Sequence, residues 1–157
     1  MQSTPILTVH TANQLLDVLE DYLDKTEANY SMVIERGGSI LSEIGTVPEA
    51  ADMTIVAALA AGSFAATKEL AHRIGESEFS ALHQQGENYQ IFMCSISEYA
   101  VLVTIFGNQT TLGLVRFYSG RTVKQIGQVL EESTHQYAAP VFTTRDLGNA
   151  GQLFGNE

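Results

Sequence analysis

The 157-residue sequence predicts a single α+β domain with a five-stranded, mostly antiparallel sheet and the element order α-β-β-α-β-β-β-α. Apolar residues make up 45% and charged residues 17% of the chain, as in folded globular domains. Hydrophobic spacing switches between the helical and the strand period along the chain. No internal repeat or linker interrupts this pattern. Because each helix needs a sheet face for its apolar stripe, the elements predict a sandwich.

A helix and a hairpin open the domain. Residues 12–26 place leucines at three- and four-residue spacings and acidic residues on the opposite side, which predicts an amphipathic helix. Two segments with strand character follow, Tyr30–Glu35 and Ser39–Ile44. They flank Gly37-Gly38, a pair that accepts the positive φ angles of a tight turn.

A long apolar helix and three further strands come next. Residues 52–74 begin at Asp52, a residue type suited to an N-cap, and stop before a glycine. The segments Phe79–Gln85, Tyr89–Ile96 and Tyr99–Phe106 then predict three strands, the first of them weakly alternating and polar.

Helical spacing returns over residues 110–132. Gly113, Gly120 and Gly127 lie seven residues apart on one face, and we expect them to let this helix approach the sheet closely. After Pro140 the polar composition predicts a frayed tail with one short helical turn. The predicted boundaries are an N-terminal extension at 1–11, the domain at 12–133 and a C-terminal tail at 134–157.

Charge and composition exclude several classes of partner. Eight basic residues against eighteen acidic ones give a net charge of −10, so nucleic acid and anionic lipid are repelled. No apolar stretch approaches the ~20 residues of a membrane span, and the N-terminus lacks a signal-peptide pattern. Cys94 is the single cysteine and lies in an apolar run, which predicts a buried, inert thiol. We expect a cytoplasmic protein.

Catalytic chemistry has no candidate residues in this sequence. Phosphate-binding glycine loops and the nucleophile elbow of hydrolases are absent from it. Four histidines are scattered without metal-ligand spacing, and the carboxylates cluster on helix faces that we expect to be solvated. The sequence therefore predicts no enzyme active site, no cofactor and no metal.

The helix at 52–74 is unusually smooth, because Ala57–Thr67 contains almost no large side chain. We expect one face to lie on the sheet, formed by Val56, Leu59, Ala60, Ser63 and Leu70. The opposite face is expected to be free for another protein, formed by Ala57, Ala58, Ala61, Gly62, Ala65 and Glu69. The alternative is that alanine simply favours helix and packs tightly on the sheet. A glycine inside a helix costs stability, which favours close approach by a partner.

Four segments carry a resemblance to a known family: Met32–Gly38, Leu59–Thr67, Phe79–Glu87 and Val101–Phe106. In this order and spacing they resemble the Roadblock (dynein light chain) family, specifically its bacterial MglB-like branch, over roughly residues 12–133. The resemblance implies a Roadblock/profilin-like sandwich that forms a homodimer. Paired central helices and a shared edge strand would join the two copies, and the edge strand would be Phe79–Gln85. The implied dimer residues are Ala57, Phe64, Phe79, Ala81, Leu82, His83, Gln84 and Gln85.

The same resemblance implies a partner, a small Ras-like GTPase. It would bind on the paired helices, and this binding would accelerate its GTP hydrolysis. The implied contact residues are Ala58, Ala61, Gly62, Ala65 and Glu69, with Lys68 and His72 at the rim. It also implies that no arginine finger is supplied. Arg36 at the hairpin and Arg145 in the tail are the two arginines whose predicted positions suit a finger.

Two other functions remain open from the sequence. One is a dimeric scaffold that tethers a GTPase or a motor component without changing its turnover. The other is a small-molecule sensor, which predicts a cavity lined with convergent polar groups between helix and sheet.

Overall fold

The computed structural model describes residues 7–138 and confirms the predicted order of elements. The expected tail turn and Arg145 lie outside the described residues. The first helix begins three residues earlier than predicted and the last one extends six residues further. The elements are α1 (Val9–Thr26), β1 (Tyr30–Glu35), β2 (Ile40–Gly45), α2 (Met53–Arg73), β3 (Ala81–Gln85), β4 (Gln90–Ser95), β5 (Ala100–Phe106) and α3 (Leu112–Ala138).

All five strands form one antiparallel sheet in the order β2-β1-β5-β4-β3. The crossover through α2 carries the chain from one edge of the sheet to the other, so β2 and β3 are the edge strands. The predicted edge position of β3 is confirmed. The strand starts at Ala81, however, and Phe79 precedes it. Just before the strand begins, the Ser80 carbonyl accepts a hydrogen bond from the Ser95 amide of β4 at 3.0 Å.

Alternate residues of the strands feed two separate cores. Val33, Leu102 and Phe92 point to the side covered by α1 and α3, where Leu15, Leu19 and Ile126 are fully buried. Their strand neighbours point to the side covered by α2 alone and meet Ala57, Ala60 and Phe64; they include Met32, Ile34, Val101 and Val103. The molecule therefore has three layers, with two helices on one face of the sheet and one on the other.

Local signals in the sequence explain where α2 begins and how the hairpin turns. Asp52 caps α2 as predicted, because its Oδ1 accepts hydrogen bonds from the Thr54 and Ile55 amides. Gly38 has a φ of +105°, and a Cβ there would lie 3.1 Å from the Ala58 Cα. The hairpin therefore needs glycine both for its turn and for its closeness to α2.

The predicted role of the glycines in α3 is wrong. A Cβ at Gly120 would meet nothing within 4 Å, and one at Gly127 would reach only Ile96, at 3.9 Å. Gly113 likewise has only Thr111 within 4 Å. α3 packs through Val115, Ile126 and Leu130 instead, since those large side chains supply the apolar contact with the sheet.

The length and composition of α2 also correct the expectation that no segment could span a membrane. Among residues 7–138, α2 is the one helix long and apolar enough to do so. This is weak support for a membrane span, since core helices of globular domains pass the same test. Only 22% of its most apolar window is buried, so the fold leaves much apolar helix surface uncovered.

Candidate protein interface on the central helix

α2 contacts the sheet through a face different from the predicted one. Ala57 and Phe64 are 0% and 1% exposed, and Ala60, Ala61 and Ala71 are buried beside them. Phe64 decides this orientation, because it is the one large aromatic side chain of the helix and fills the space above β5 and β4. A helix that is apolar all round gives no reliable face from periodicity alone.

The outward side of α2 carries a continuous apolar stripe. Ile55, Leu59 and Leu70 are 57%, 66% and 58% exposed. Gly62 and Ala66 lie between them at helical spacing. We call these five residues the outer stripe. The prediction that Leu59 and Leu70 lie on the sheet is therefore wrong.

Gly62 has no steric role within the protomer. A Cβ added there would meet nothing within 4 Å. Glycine in the interior of a helix nevertheless costs about 1 kcal/mol relative to alanine. Packing within the protomer therefore does not explain a glycine at this position.

Most residues of the predicted GTPase contact are accessible. Ala58, Gly62, Ala65, Lys68, Glu69 and His72 are exposed. Ala61 is only 5% exposed, so its predicted exposure is wrong. Five of the seven residues nevertheless line one open cavity of about 320 Å³ on the flank of α2. Its walls are formed by Ala61, Ala65, Lys68, Glu69 and His72 together with Arg36, Phe64 and Val101.

Arg36 lines this cavity, and its guanidinium makes several contacts. Its Nη2 donates to Glu78 Oε1 at 2.8 Å and to Ser95 Oγ at 2.7 Å. Both Nε and Nη2 donate to the Ser97 carbonyl, at 3.1 and 2.8 Å. The guanidinium also lies 5.4 Å from the centre of the Phe64 ring. These contacts fasten the hairpin to the β4–β5 turn and to α2.

The dimer residues predicted on α2 need correction. Ala57 and Phe64 pack on their own sheet, so neither presents a side chain to a second copy. Ile55, Leu59 and Leu70, which are exposed on this helix, were not among the predicted interface residues. A signal for them was present, because they share the side of the helix opposite Phe64.

The predicted residues of β3 lie on a free sheet edge. Ala81, Leu82 and His83 are half-buried, and Gln84 and Gln85 are exposed. His83 Nε2 and Gln90 Oε1 lie 2.7 Å apart, which ties β3 to β4 on its inner side. The strand contains no charged residue, although exposed edges usually carry charges that prevent pairing. Phe79, outside the strand, is half-buried beside it.

α2 presents two different flanks to its surroundings. Ala58 meets the β1–β2 hairpin, and the cavity with Arg36 lies on the same flank. Leu59, Ser63 and Leu70 lie on the other flank by the 100° rotation per residue of an α-helix.

Comparison with known proteins gives a consistent family assignment. A sequence comparison with curated proteins found no match. Among solved structures, the chain is similar to the gliding protein MglB from Thermus thermophilus, with 29% identity, a TM-score of 0.77 and coverage of 84% of this chain and 99% of that chain. It is similar to Myxococcus xanthus MglB at 27% identity and a TM-score of 0.75, covering 82% and 96%.

An MglB described as having a tetrameric arrangement matches at 28% identity and a TM-score of 0.78, covering 85% of this chain and 99% of that one. These likenesses extend over nearly the whole length of each MglB chain. The family model of the Roadblock/LC7 domain matches residues 14–106, which include α2 and all five strands. The chain therefore belongs to the Roadblock/LC7 family and is MglB-like within it.

Proposed function

We propose that this protein is a cytoplasmic homodimer that binds a small Ras-like GTPase on the surface formed by its two α2 helices and stimulates GTP hydrolysis. The observation that carries the proposal is the outer stripe, an exposed apolar face with an otherwise unexplained glycine at its centre. Such a face in a Roadblock/LC7 domain supports association with protein rather than chemistry of its own.

The outer stripe is suited to pairing with itself. Ile55 and Leu70 are equally far from the midpoint between Gly62 and Ser63, and so are Leu59 and Ala66. An antiparallel second copy of α2 would therefore set Ile55 against the partner's Leu70 and Leu59 against the partner's Ala66. Gly62 would lie at the crossing, where small residues let backbones come close. Self-complementarity of this kind is what a two-fold dimer interface requires.

The β3 edge supports the same dimer. Pairing of β3 with its copy would satisfy the free backbone groups along Ala81–Gln85 and join two sheets into one. In the proposed dimer, the outer stripe and this edge would both contact the second copy around one two-fold axis.

The GTPase would bind across the paired helices beside their crossing, with Ala58 and Ala65 as close contacts and Lys68, Glu69 and His72 at the rim. Gly62, predicted as a GTPase contact, would lie at the crossing itself in this arrangement. We propose that it acts without an arginine finger. Arg36 is bound to Glu78, Ser95 and Ser97 and so is poorly placed to reach into another active site. Stimulation would come from repositioned switch loops, so that the GTPase's own groups stabilise the charge of phosphoryl transfer.

The test is single-turnover GTP hydrolysis by a Ras-like GTPase from the same organism, with and without this protein. We expect the native chain to accelerate hydrolysis and a Gly62→Arg variant to lose the effect, because the new side chain blocks the crossing point. Gly120→Arg is a matched control, since Gly120 is also an exposed helical glycine with nothing within 4 Å of a Cβ.

The two variants separate the proposal from its alternatives. Acceleration by the native chain and by Gly120→Arg, but not by Gly62→Arg, supports the α2 site. If the GTPase binds but turns over at its intrinsic rate, the protein is a scaffold and the stimulation proposal is wrong. Absence of binding would contradict the GTPase partner altogether.

A further inference from the structure

The cavity on the flank of α2 is lined by several basic side chains of an otherwise acidic protein. Arg36, Lys68 and His72 line it, and among the described residues around it Glu69 is the one carboxylate. Lys68 and His72 lie four residues apart, so they project from the same face of α2. Because the whole chain has a net charge of −10, this composition sets the cavity apart from the rest of the surface.

Two carboxylates of this region are already engaged. Glu69 Oε1 accepts a hydrogen bond from Arg73 Nε at 3.0 Å, one turn further along α2. Glu78 Oε1 accepts one from Arg36 Nη2 at 2.8 Å. Each pair balances one positive charge with one negative charge. Lys68 therefore adds a positive charge that neither pair offsets.

Three side chains around the cavity have hydrogen-bond donors without acceptors. Within residues 7–138, the Lys68 ammonium and the His72 imidazole form no hydrogen bond or ion pair. The Arg36 guanidinium uses Nε and Nη2 for the contacts given above, and in the same part of the chain its Nη1 makes no hydrogen bond. Lysine and arginine are donors only, so the cavity calls for a group that accepts.

Arg36 is held in position before a partner binds. Its side chain is 22% exposed, and its guanidinium lies over the ring of the buried Phe64. A guanidinium fixed in this way loses little conformational freedom when an acceptor reaches it. Lys68 is exposed on a flexible stem and can adjust to the same group. The cavity thus combines a fixed donor with a mobile one.

We infer that, in the complex of the proposed function, on which this assignment rests, the cavity receives the carboxylate of an Asp or Glu side chain of the GTPase. A carboxylate supplies the acceptors that these donors lack, and its charge complements that of Lys68. A volume of about 320 Å³ is at the lower end for ligand pockets, which suits one side chain better than a larger molecule. Arg36 then recognises the GTPase surface from its fixed position and does not enter the GTPase active site.

The cavity stays accessible in the proposed dimer. By the 100° rotation per residue of an α-helix, Lys68 and His72 lie about 140–180° around α2 from the exposed leucines of the outer stripe. The cavity also lies on the flank that meets the β1–β2 hairpin. A second copy seated on the outer stripe therefore leaves this flank open to the GTPase.

Binding of a Ras-like GTPase from the same organism, measured in 50 mM and 500 mM NaCl, tests the inference. We expect Lys68→Glu to raise the dissociation constant at least about tenfold at low salt, because repulsion replaces attraction. The difference from the native chain should shrink at high salt, since Lys68 is exposed. Lys124→Glu is the matched control, because it makes the same charge change at an exposed lysine of α3, on the opposite face of the sheet. It should change the dissociation constant little.

Charge reversal on the GTPase identifies the carboxylate. Surface Asp and Glu residues of the GTPase are changed to lysine one at a time and tested against both forms of this protein. We expect one of these variants to lose binding to the native chain and to regain it with Lys68→Glu, since opposite charges then face each other again. A merely structural effect of Lys68 would give no such rescue, because the rescue measures a pairwise interaction.

Three results would overturn the inference while the proposed function stands: Lys68→Glu that binds the GTPase as well as the native chain does, Lys124→Glu that weakens binding as much as Lys68→Glu, or no acidic position of the GTPase that Lys68→Glu rescues. A native chain that does not bind the GTPase at all overturns the proposed function and this inference together.

Discussion

The two faces of the sheet are closed to different degrees. On the α1/α3 side, two helices cover the strands and bury Leu15, Leu19, Leu102 and Ile126 completely. On the other side a single helix covers the strands, and its outward surface exposes more than half of Ile55, Leu59 and Leu70. The buried apolar residues of the first face stabilise the protomer. The second contains apolar surface that the protomer itself does not use.

This difference separates residues that hold the fold from residues available for a partner. Burial of apolar surface contributes about 25 cal/mol per Å² to folding, so fully buried leucines dominate protomer stability. Large exposed side chains contribute little to it. Substitutions on the α1/α3 side should therefore change protomer stability, and substitutions on the outer side of α2 should change association.

Leu102→Ala should have the largest effect. Leu102 is fully buried in the central strand β5, on the α1/α3 side. Removing its side chain should lower the free energy of unfolding by about 3 kcal/mol, from lost burial and the cavity left behind. Urea denaturation measures this, with Leu59→Ala as the exposed control measured at concentrations where the chain is monomeric. Equal losses in both variants would contradict the contrast between the faces.

Leu59→Asp should act on association instead. The substitution puts a charge into the outer stripe, so we expect the dissociation constant of the dimer to rise by at least about tenfold. Sedimentation equilibrium at 500 mM NaCl measures it. Glu49→Lys serves as a control outside the stripe. An unchanged dissociation constant with Leu59→Asp would place the dimer contact elsewhere.

Gly62→Ala should have opposite effects on folding and association. Because a Cβ at Gly62 meets nothing in the protomer, we expect monomer stability to rise by about 1 kcal/mol from helix propensity. We expect association to weaken, since the methyl group separates the crossing helices. Gly45→Ala is the contrasting variant, because Gly45 has a φ of +106° and a Cβ there would collide with the Asn29 carbonyl. It should destabilise the protomer.

Ionisation of the Cys94 thiol should have the smallest effect on protomer stability at neutral pH. Cys94 is 8% exposed on the α1/α3 side, and burial raises the pKa of its thiol to about 12, despite a hydrogen bond with Ser119 that lowers it. The raised pKa means that the folded state favours the neutral thiol. Its contribution to stability is intact below about pH 9 and declines as pH rises toward 12.

Labelling with a thiol reagent at pH 8 tests the state of Cys94. We expect native chain to react far more slowly than urea-unfolded chain, because burial raises the pKa of the thiol and so disfavours the reactive thiolate. Rapid labelling of the native chain would show that this side of the sheet opens easily.

Much of the fold could be predicted from local signals. The Gly37-Gly38 turn, the Asp52 cap and the strand character of Tyr99–Phe106 each depend on neighbouring residues, and each is found in the structure. The resemblance to the Roadblock family implied the edge position of β3, and the structure confirms that position. These signals are readable because propensity and capping are local properties of the chain.

The interface was harder to predict because it depends on which way a helix faces. Alanines surround α2, so its sequence allowed several orientations, and Ala57 and Ala61 were placed on the wrong side. The glycines of α3 were misjudged for the same reason. Glycine allows close approach, but the sequence does not show whether the neighbour is the sheet or the solvent.

The sequence by itself determined the family and the order of elements. These follow from periodicity, turn chemistry and composition. The tertiary structure alone decided that Phe64 points inward and Leu59 outward, and that Arg36 is held by Glu78 and Ser97. Each of these depends on distances between segments far apart in the chain, which packing of the whole domain sets.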